Sequence, residues 1–245
     1  MATPLAGRVV LVTGGAHRVG KAIVMALAAE RMRIALHYGG SADAARATEQ
    51  ELRARGVEVR LFQADLRDAD AAPALIQQVV EAFGALHLLV NSAAVMQRTP
   101  IGSVTPQAWD SMFALNLRAP FFLAQAAASH LASVQGAIVN IADLAAFEAW
   151  PEYVPHAISK AGVVQMTRGL AHALAPSVRV NAIAPGGVLL PAQWTAADAE
   201  HFAQSTPLKR LGSPDDVAQA VVYLAQADYV TGDTLVVDGG RNVRK

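Results

Sequence analysis

Short apolar, β-branched runs alternate along this chain with longer stretches of helical periodicity, and that alternation limits the fold more than any other feature. Residues 9–13 read VVLVT and stop at Gly14-Gly15; helical spacing then runs through 19–31. The pattern predicts a strand at 34–38, an amphipathic helix at 42–55 and a third strand at 57–63. It continues with a helix at 71–83, a strand at 86–91, two helical stretches within 105–131 and a strand at 137–141. A helix at 154–175, a strand at 179–183, a short helix at 196–204, a helix opening at Ser213-Pro214 and a strand at 234–237 complete it. Strands separated by helices of ten or more residues pair through right-handed βαβ crossovers, which makes the sheet parallel. The expected architecture is α/β: a doubly wound parallel sheet of about seven strands with helices on both faces. No linker or repeat divides the chain, so residues 1–245 read as one domain.

Composition narrows the function classes. Over half the residues are apolar and 16% are charged, which argues against disorder. The formal net charge is zero and no Lys/Arg stripe interleaves with aromatics, so nucleic acid is not an expected partner. The absence of cysteine excludes disulfides, thiolate catalysis and cysteine zinc sites. Histidines are scattered singly, and no metal site is expected. No run reaches the roughly 18–20 apolar residues of a membrane span, and the start MATPLAGR lacks a basic n-region. A cytoplasmic setting is expected, with no membrane partner.

Ligands of doubly wound sheets bind beyond the carboxyl ends of the strands. The first strand-to-helix turn, TGGAHRVG, runs from Thr13 to Gly20 and includes Gly14, His17, Arg18 and Val19. Its glycines let backbone approach a pyrophosphate, and the helix N-terminus behind them favours negative charge. Arg18 stands where G-x-x-x-G-x-G has its middle glycine; it reads either as a guanidinium on the pyrophosphate or as a solvated side chain. The second strand ends in HYGGS, with Tyr38 where an NAD enzyme carries an acid for the ribose 2′-hydroxyl. Ser41 can donate to a 2′-phosphate, and His17 and Arg18 add positive charge. NADP(H) is therefore the expected cofactor, with NAD(H) the lesser alternative.

The segment from Asp143 to Lys160 carries the chemistry. His156 and Lys160 lie four apart on a helix and so share a face, about 6 Å apart along the axis. Asp143 follows the buried-strand run AIVNIA. Where strand end and helix face converge, a carboxylate, an imidazole and an ammonium meet in one cleft.

These motifs together resemble the short-chain dehydrogenase/reductase family over essentially the whole chain. The matches are TGGAHRVG, ADL at Ala64 to Leu66, LVNSAA at Leu89 to Ala94, Asn116, the segment ending in Lys160, RVNAIAPGGV from Arg179, and YVTGDTLVVDGG. The resemblance implies that Asp65 and Leu66 hold the adenine and that Asn91 and Ala93 line the ribose side. Pro185, Gly186 and Val188 would flank the nicotinamide. Asn116 would hold a helix bulge and a relay water, and Lys160 would grip the ribose hydroxyls. The family's serine after the fifth strand is Asp143 here, and its catalytic tyrosine is His156. Arg18, Asp143 and Tyr153 look like the pteridine reductase branch, in which the arginine touches cofactor and substrate and the aspartate takes part in catalysis. That branch stacks an aromatic side chain on the pterin where this chain has Met96.

Asp65 also reads as a turn cap, and Asn116 as a buried, hydrogen-bonded polar residue. Met96, Leu189, Leu190 and Trp194 are substrate-pocket residues by position, or else ordinary packing. A phenol titrates near 10 and needs a neighbouring cation to act near neutrality, whereas an imidazole starts near 6.5. Lys160 would oppose imidazolium and Asp143 would favour it, so the two replacements are coherent as a pair. The expected activity is hydride transfer from NADPH to a C=O or C=N of a small substrate, for which the branch resemblance suggests a pterin, with an Asp143–His156 couple supplying the proton. The alternatives are a 3-oxoacyl carrier-protein reductase-like enzyme and an NADP(H)-binding protein that has lost turnover. The helices at 109–131 and 154–175 are apolar nearly all round, which predicts a homodimer or homotetramer.

Overall fold

The computed structural model describes residues 3–189 and 195–243. Seven parallel strands form one sheet in the order β3-β2-β1-β4-β5-β6-β7. They are β1 (Val9–Val12), β2 (Arg33–Tyr38), β3 (Val59–Gln63), β4 (Leu88–Asn91), β5 (Ala137–Ile141), β6 (Arg179–Pro185) and β7 (Thr234–Val237). The helices are α1 (Arg18–Ala29), α2 (Ala42–Ala54), α3 (Ala71–Phe83), α4 (Pro106–Phe113), α5 (Ala119–Ala132), α6 (Val154–Leu174), α7 (Ala196–Ser205) and α8 (Pro214–Gln226). The order reverses between β1 and β4, which opens the crevice where such sheets take their ligands.

Successive strand side chains alternate between two cores. Val10, Val12, Ile34, Leu36, Val90 and Val139 pack with α1, α2 and α8 on one face. Val9, Leu11, Ala35, Leu89, Ile138 and Val180 pack with α3, α5 and α6 on the other. Burial on both faces is why period-2 polarity is absent from these runs. Two strand starts are later than expected: β3 opens at Val59 rather than 57, and β4 at Leu88 rather than 86. In both cases apolar residues of the preceding loop pack beneath the sheet without joining a ladder. β6 runs on to Pro185, which pairs with Val237 at the sheet's last register position.

The helical stretch within 105–131 is interrupted by a π turn, Ala114–Arg118, between α4 and α5. One residue too many per turn is accommodated there, and π bulges of this kind cluster at functional sites. The bulge turns Asn116 inward, where it is 1% exposed. No helix among the described residues is long and apolar enough to cross a membrane.

Candidate active site

Every described residue singled out from the sequence falls at the carboxyl end of the sheet or on a helix face above it. Gly14 follows β1 with φ +67, and a Cβ there would stand 3.0 Å from Ala93 Cα. Gly20 lies in the first helical turn of α1, where a Cβ would meet the Gly14 carbonyl at 2.1 Å. The turn can therefore wrap this tightly only with glycine at both positions. Arg18 between them has φ 55, a left-handed conformation that an L side chain adopts at a cost of about 1–2 kcal/mol. His17 and Arg18 are both exposed, above the crevice. Strain held at an exposed position beside a ligand turn is a functional signal rather than a packing one.

Two residues that the sequence reading passed over fasten this turn. Thr13 Oγ1 accepts from the backbone N–H groups of Ser92 and Ala93, at 3.0 and 3.1 Å, and so ties the end of β4 to the turn. His37, near the end of β2, is 2% exposed. Its Nδ1 accepts from the Gly14 N–H at 3.2 Å, which fixes the ring proton on Nε2, 3.1 Å from the Ala64 carbonyl. Burial holds the ring well below the ordinary histidine range, at about 4, and it is neutral near pH 7. The signal was a lone polar residue in the apolar run IALHY.

Beyond β2, Tyr38 sits beside the exposed Gly39 and Gly40. Ser41 precedes α2 but makes no side-chain cap bond, so its hydroxyl is not spent on the helix. Asp65 accepts the Arg67 N–H through Oδ1 at 3.0 Å, so it does cap its turn. Leu66 beside it is buried. At the end of β4, Asn91 donates to Asn140 Oδ1 at 2.9 Å, and Asn140 donates to Thr167 Oγ1. Asn91 Oδ1 is buried without a partner.

Asp143 stands just past β5 in extended backbone, and its Oδ1 accepts the Ala145 N–H at 2.8 Å. α6 brings His156 and Lys160 under it, 2% and 4% exposed. Lys160 Nζ donates to the Ile141 carbonyl at 2.7 Å. Burial pulls this amine down from the usual lysine range to about 8, and the Asp143 charge resists that shift. His156 Nδ1 lies 3.3 Å from the Val95 carbonyl, and Nε2 lies 3.5 Å from Asp143 Oδ2. That distance allows ion pairing, but no hydrogen bond is formed and Nε2 is sealed from solvent. The His156 side chain is 2% exposed, and the Asp143 side chain beside it is 23% exposed.

Asn116 grips the Val95 peptide from both sides, accepting its N–H and donating to its carbonyl, each at 2.9 Å. A third bond runs from Asn116 Nδ2 to Ser159 Oγ on α6. The buried, hydrogen-bonded reading of Asn116 therefore holds. The Arg98–Glu152 ion pair and the Thr99 N–H bond to the Glu152 carbonyl clamp the loop after β4 onto the entry to α6. This sets Met96, exposed by 47%, and the half-buried Tyr153 at the mouth. Tyr153 meets Trp150 edge-on at 6.2 Å. Pro185 ends β6 and Gly186 and Val188 follow it, with Leu189 exposed beyond them. Leu190 and Trp194, the other pocket residues expected from the sequence, lie outside the described residues.

A family model described as enoyl-(acyl carrier protein) reductase matches residues 14–242. The 3-oxoacyl-[acyl-carrier-protein] reductase FabG of Staphylococcus aureus is 35% identical over 94% of this chain and 96% of its own length. Among solved structures, FolM alternative dihydrofolate reductase 1 from Brucella canis, complexed with NADP, superposes with a TM-score of 0.92. It is 34% identical, over 99% of this chain and 96% of that one. A short-chain dehydrogenase/reductase from Serratia marcescens superposes at 0.91, with 33% identity over 98% and 100% of the two chains. With the crevice, the glycine turn and the α6 lysine all in place, this chain belongs to the short-chain dehydrogenase/reductase family.

Proposed function

We propose that the protein is an NADP(H)-dependent reductase of a C=O or C=N group in a small substrate. The observation that carries this reading is the meeting of Asp143, His156 and Lys160 beneath one crevice, all three partly or fully buried. The residues present fit the dinucleotide. The Gly14–Gly20 turn admits backbone close to a pyrophosphate, and the second strand ends without a carboxylate that would repel a 2′-phosphate. Ser41 keeps its hydroxyl for that phosphate, and Asp65 and Leu66 border the adenine end. Asn91 Oδ1 is an unspent acceptor on the ribose side. Lys160 is placed to bind ribose hydroxyls, and Pro185, Gly186 and Val188 to flank the nicotinamide. When bound, NADPH supplies the hydride. Asp143 and His156 hold the proton, Asn116 and Val95 fix the ring, and Met96, Tyr153 and Leu189 line the mouth.

General acids contribute typically about 10²–10⁴ in rate. Asp143→Ala is expected to slow NADPH oxidation on a genuine substrate by about 10²-fold or more, and His156→Ala by about tenfold. Undiminished rates in both would remove the couple from the mechanism and leave an NADP(H)-binding protein without this chemistry. A pterin is the substrate favoured by Arg18 and Asp143 on one cleft and by the likeness to FolM. Similarity to FabG supports an acyl-carrier-linked 3-oxo group as the second reading.

Gly40 supplies a direct check on the phosphate end. Its backbone lies outside the left-handed region, and a Cβ there meets nothing within 4 Å. Gly40→Arg therefore adds a guanidinium beside Ser41 without strain. A charge-assisted bond there is expected to tighten NADPH about tenfold and leave NADH unchanged in a fluorescence titration. Equal effects on both would move the 2′-phosphate elsewhere.

Exposed apolar side chains on α4, α5 and α6, namely Trp109, Phe121, Phe122 and Ile158, support two-fold association of this chain. Light scattering at working concentration is expected to give a dimer or tetramer mass; a monomer alone rejects that assignment.

A further inference from the structure

Resting on the reductase reading above, we infer that the proton reaches the substrate from Oδ2 of Asp143, and that His156 acts behind it as a store on a ring whose tautomer is set by Asn116 through the Val95 peptide. Four observations order the couple in this way. The Nε2 atom is sealed from solvent and has no hydrogen-bond partner, while the Asp143 side chain 3.5 Å away is 23% exposed. Asp143 Oδ1 is engaged by the Ala145 N–H, which leaves Oδ2 as the oxygen with free capacity. That oxygen is the one 3.5 Å from Nε2. On the other side of the ring, Nδ1 faces the Val95 carbonyl at 3.3 Å.

A carbonyl only accepts, so its contact requires the ring proton on Nδ1. Asn116 holds that carbonyl in place by bonding both ends of the Val95 peptide, and it is anchored to α6 through Ser159. The exchangeable site is then Nε2, directed at Asp143. Between them Nε2 and Oδ2 hold one proton. When it starts on the ring, the Nε2–H bond breaks as an Oδ2–H bond forms. That O–H bond breaks in turn as the substrate's oxygen or nitrogen takes the proton while the adjacent carbon accepts hydride. One hydride and one proton are consumed, and the reduced nicotinamide is the species oxidised. Asp143 ends as carboxylate and the ring ends neutral with Nδ1–H retained; water restores the proton once the product has left. His156 is by this account a positioning and storage residue, and Asp143 the catalytic one.

The test has one arm without turnover. Nitrogen-15 spectra of the imidazole in the free protein are expected to show Nδ1 protonated throughout a pH titration, with Nε2 as the nitrogen that changes. Loss of the proton from Nδ1 overturns the assignment. The second arm compares kcat in Asp143→Asn and His156→Gln, with folding checked by circular dichroism. The expected losses are about 10³-fold for Asp143→Asn and about tenfold for His156→Gln, since Oδ2 can still be refilled from water. A loss in His156→Gln equal to or greater than that in Asp143→Asn reverses the order and makes the ring the direct donor. Full rates in both refute the reductase reading rather than the order. If either variant fails to fold, the spectrum decides.

Discussion

Replacing Lys160 by methionine is expected to make the free protein more stable while removing most of its turnover. The ammonium is 4% exposed and donates a hydrogen bond to the Ile141 carbonyl. Burial lowers it to about 8 from the ordinary 10.5. At about 1.4 kcal/mol per pKa unit, that shift costs the folded state about 3 kcal/mol wherever the amine is charged in both states. The sign follows from proton counts. Between pH 8 and 10.5 the unfolded chain binds more protons, so stability rises with pH across that window, and the full cost is present below 8. Methionine removes the charge but leaves the Ile141 carbonyl without its partner, a loss of about 1 kcal/mol. The net gain near pH 7 is about 2 kcal/mol, or about 4–8 °C in Tm for a chain of this size. With Lys160 in its proposed place on the ribose hydroxyls, turnover should fall about 10²-fold or more for want of those charge-assisted bonds. Calorimetry on the free variant at pH 7 and pH 10 tests this. A lower Tm at pH 7 would show that the buried ammonium stabilises the apoprotein.

A second large effect is expected in mild acid. His37 is neutral in the fold, lowered to about 4 by burial, with the nearby Asp65 charge opposing the shift. From pH 6.5 down to 4 the unfolded chain binds a proton that the folded chain refuses, so this group's contribution falls by about 3 kcal/mol on acidification and is lost by pH 4. The structural reason is that protonated Nδ1 would present a hydrogen to the Gly14 N–H, donor against donor. The glycine turn proposed to take the dinucleotide and the Ala64 carbonyl next to Asp65 would loosen together. His37→Gln should be less stable than the parent at pH 7 yet lose less between pH 6.5 and 4, and it should bind NADPH more weakly. Denaturant unfolding of both proteins across that range measures it, because carboxylates and other histidines cancel in the difference. Parallel curves would mean that His37 is not the acid-labile strut.

The site was legible in the sequence where spacing alone does the work. His156 and Lys160 share a face because a helix has 3.6 residues per turn, and that holds in any helix. TGGAHRVG announced a tight turn since Gly14 and Gly20 tolerate no Cβ, and Arg18 stood out as a side chain in a glycine's place. Composition in the apolar runs was enough for seven parallel strands. Other features depend on residues far apart in the chain meeting in space. His37 finds Gly14 and Ala64 from 23 and 27 residues away, and Thr13 finds Ala93 from 80. No local pattern records such partners.

The order of Asp143 before His156 belongs to the same group. Sequence placed both in one cleft, but only the packed position of α6 leaves Asp143 partly exposed and His156 buried. What the chain determined by itself is the sheet, the glycine turn and the shared helix face of His156 and Lys160, because periodicity and backbone sterics act within a few residues. Tertiary structure alone decided the carbonyl that Nδ1 faces, the depressed lysine and the sealed Nε2. Those depend on burial and on carbonyls brought in from elsewhere, and electrostatics in a low-dielectric interior is set by what surrounds a group rather than by what precedes it.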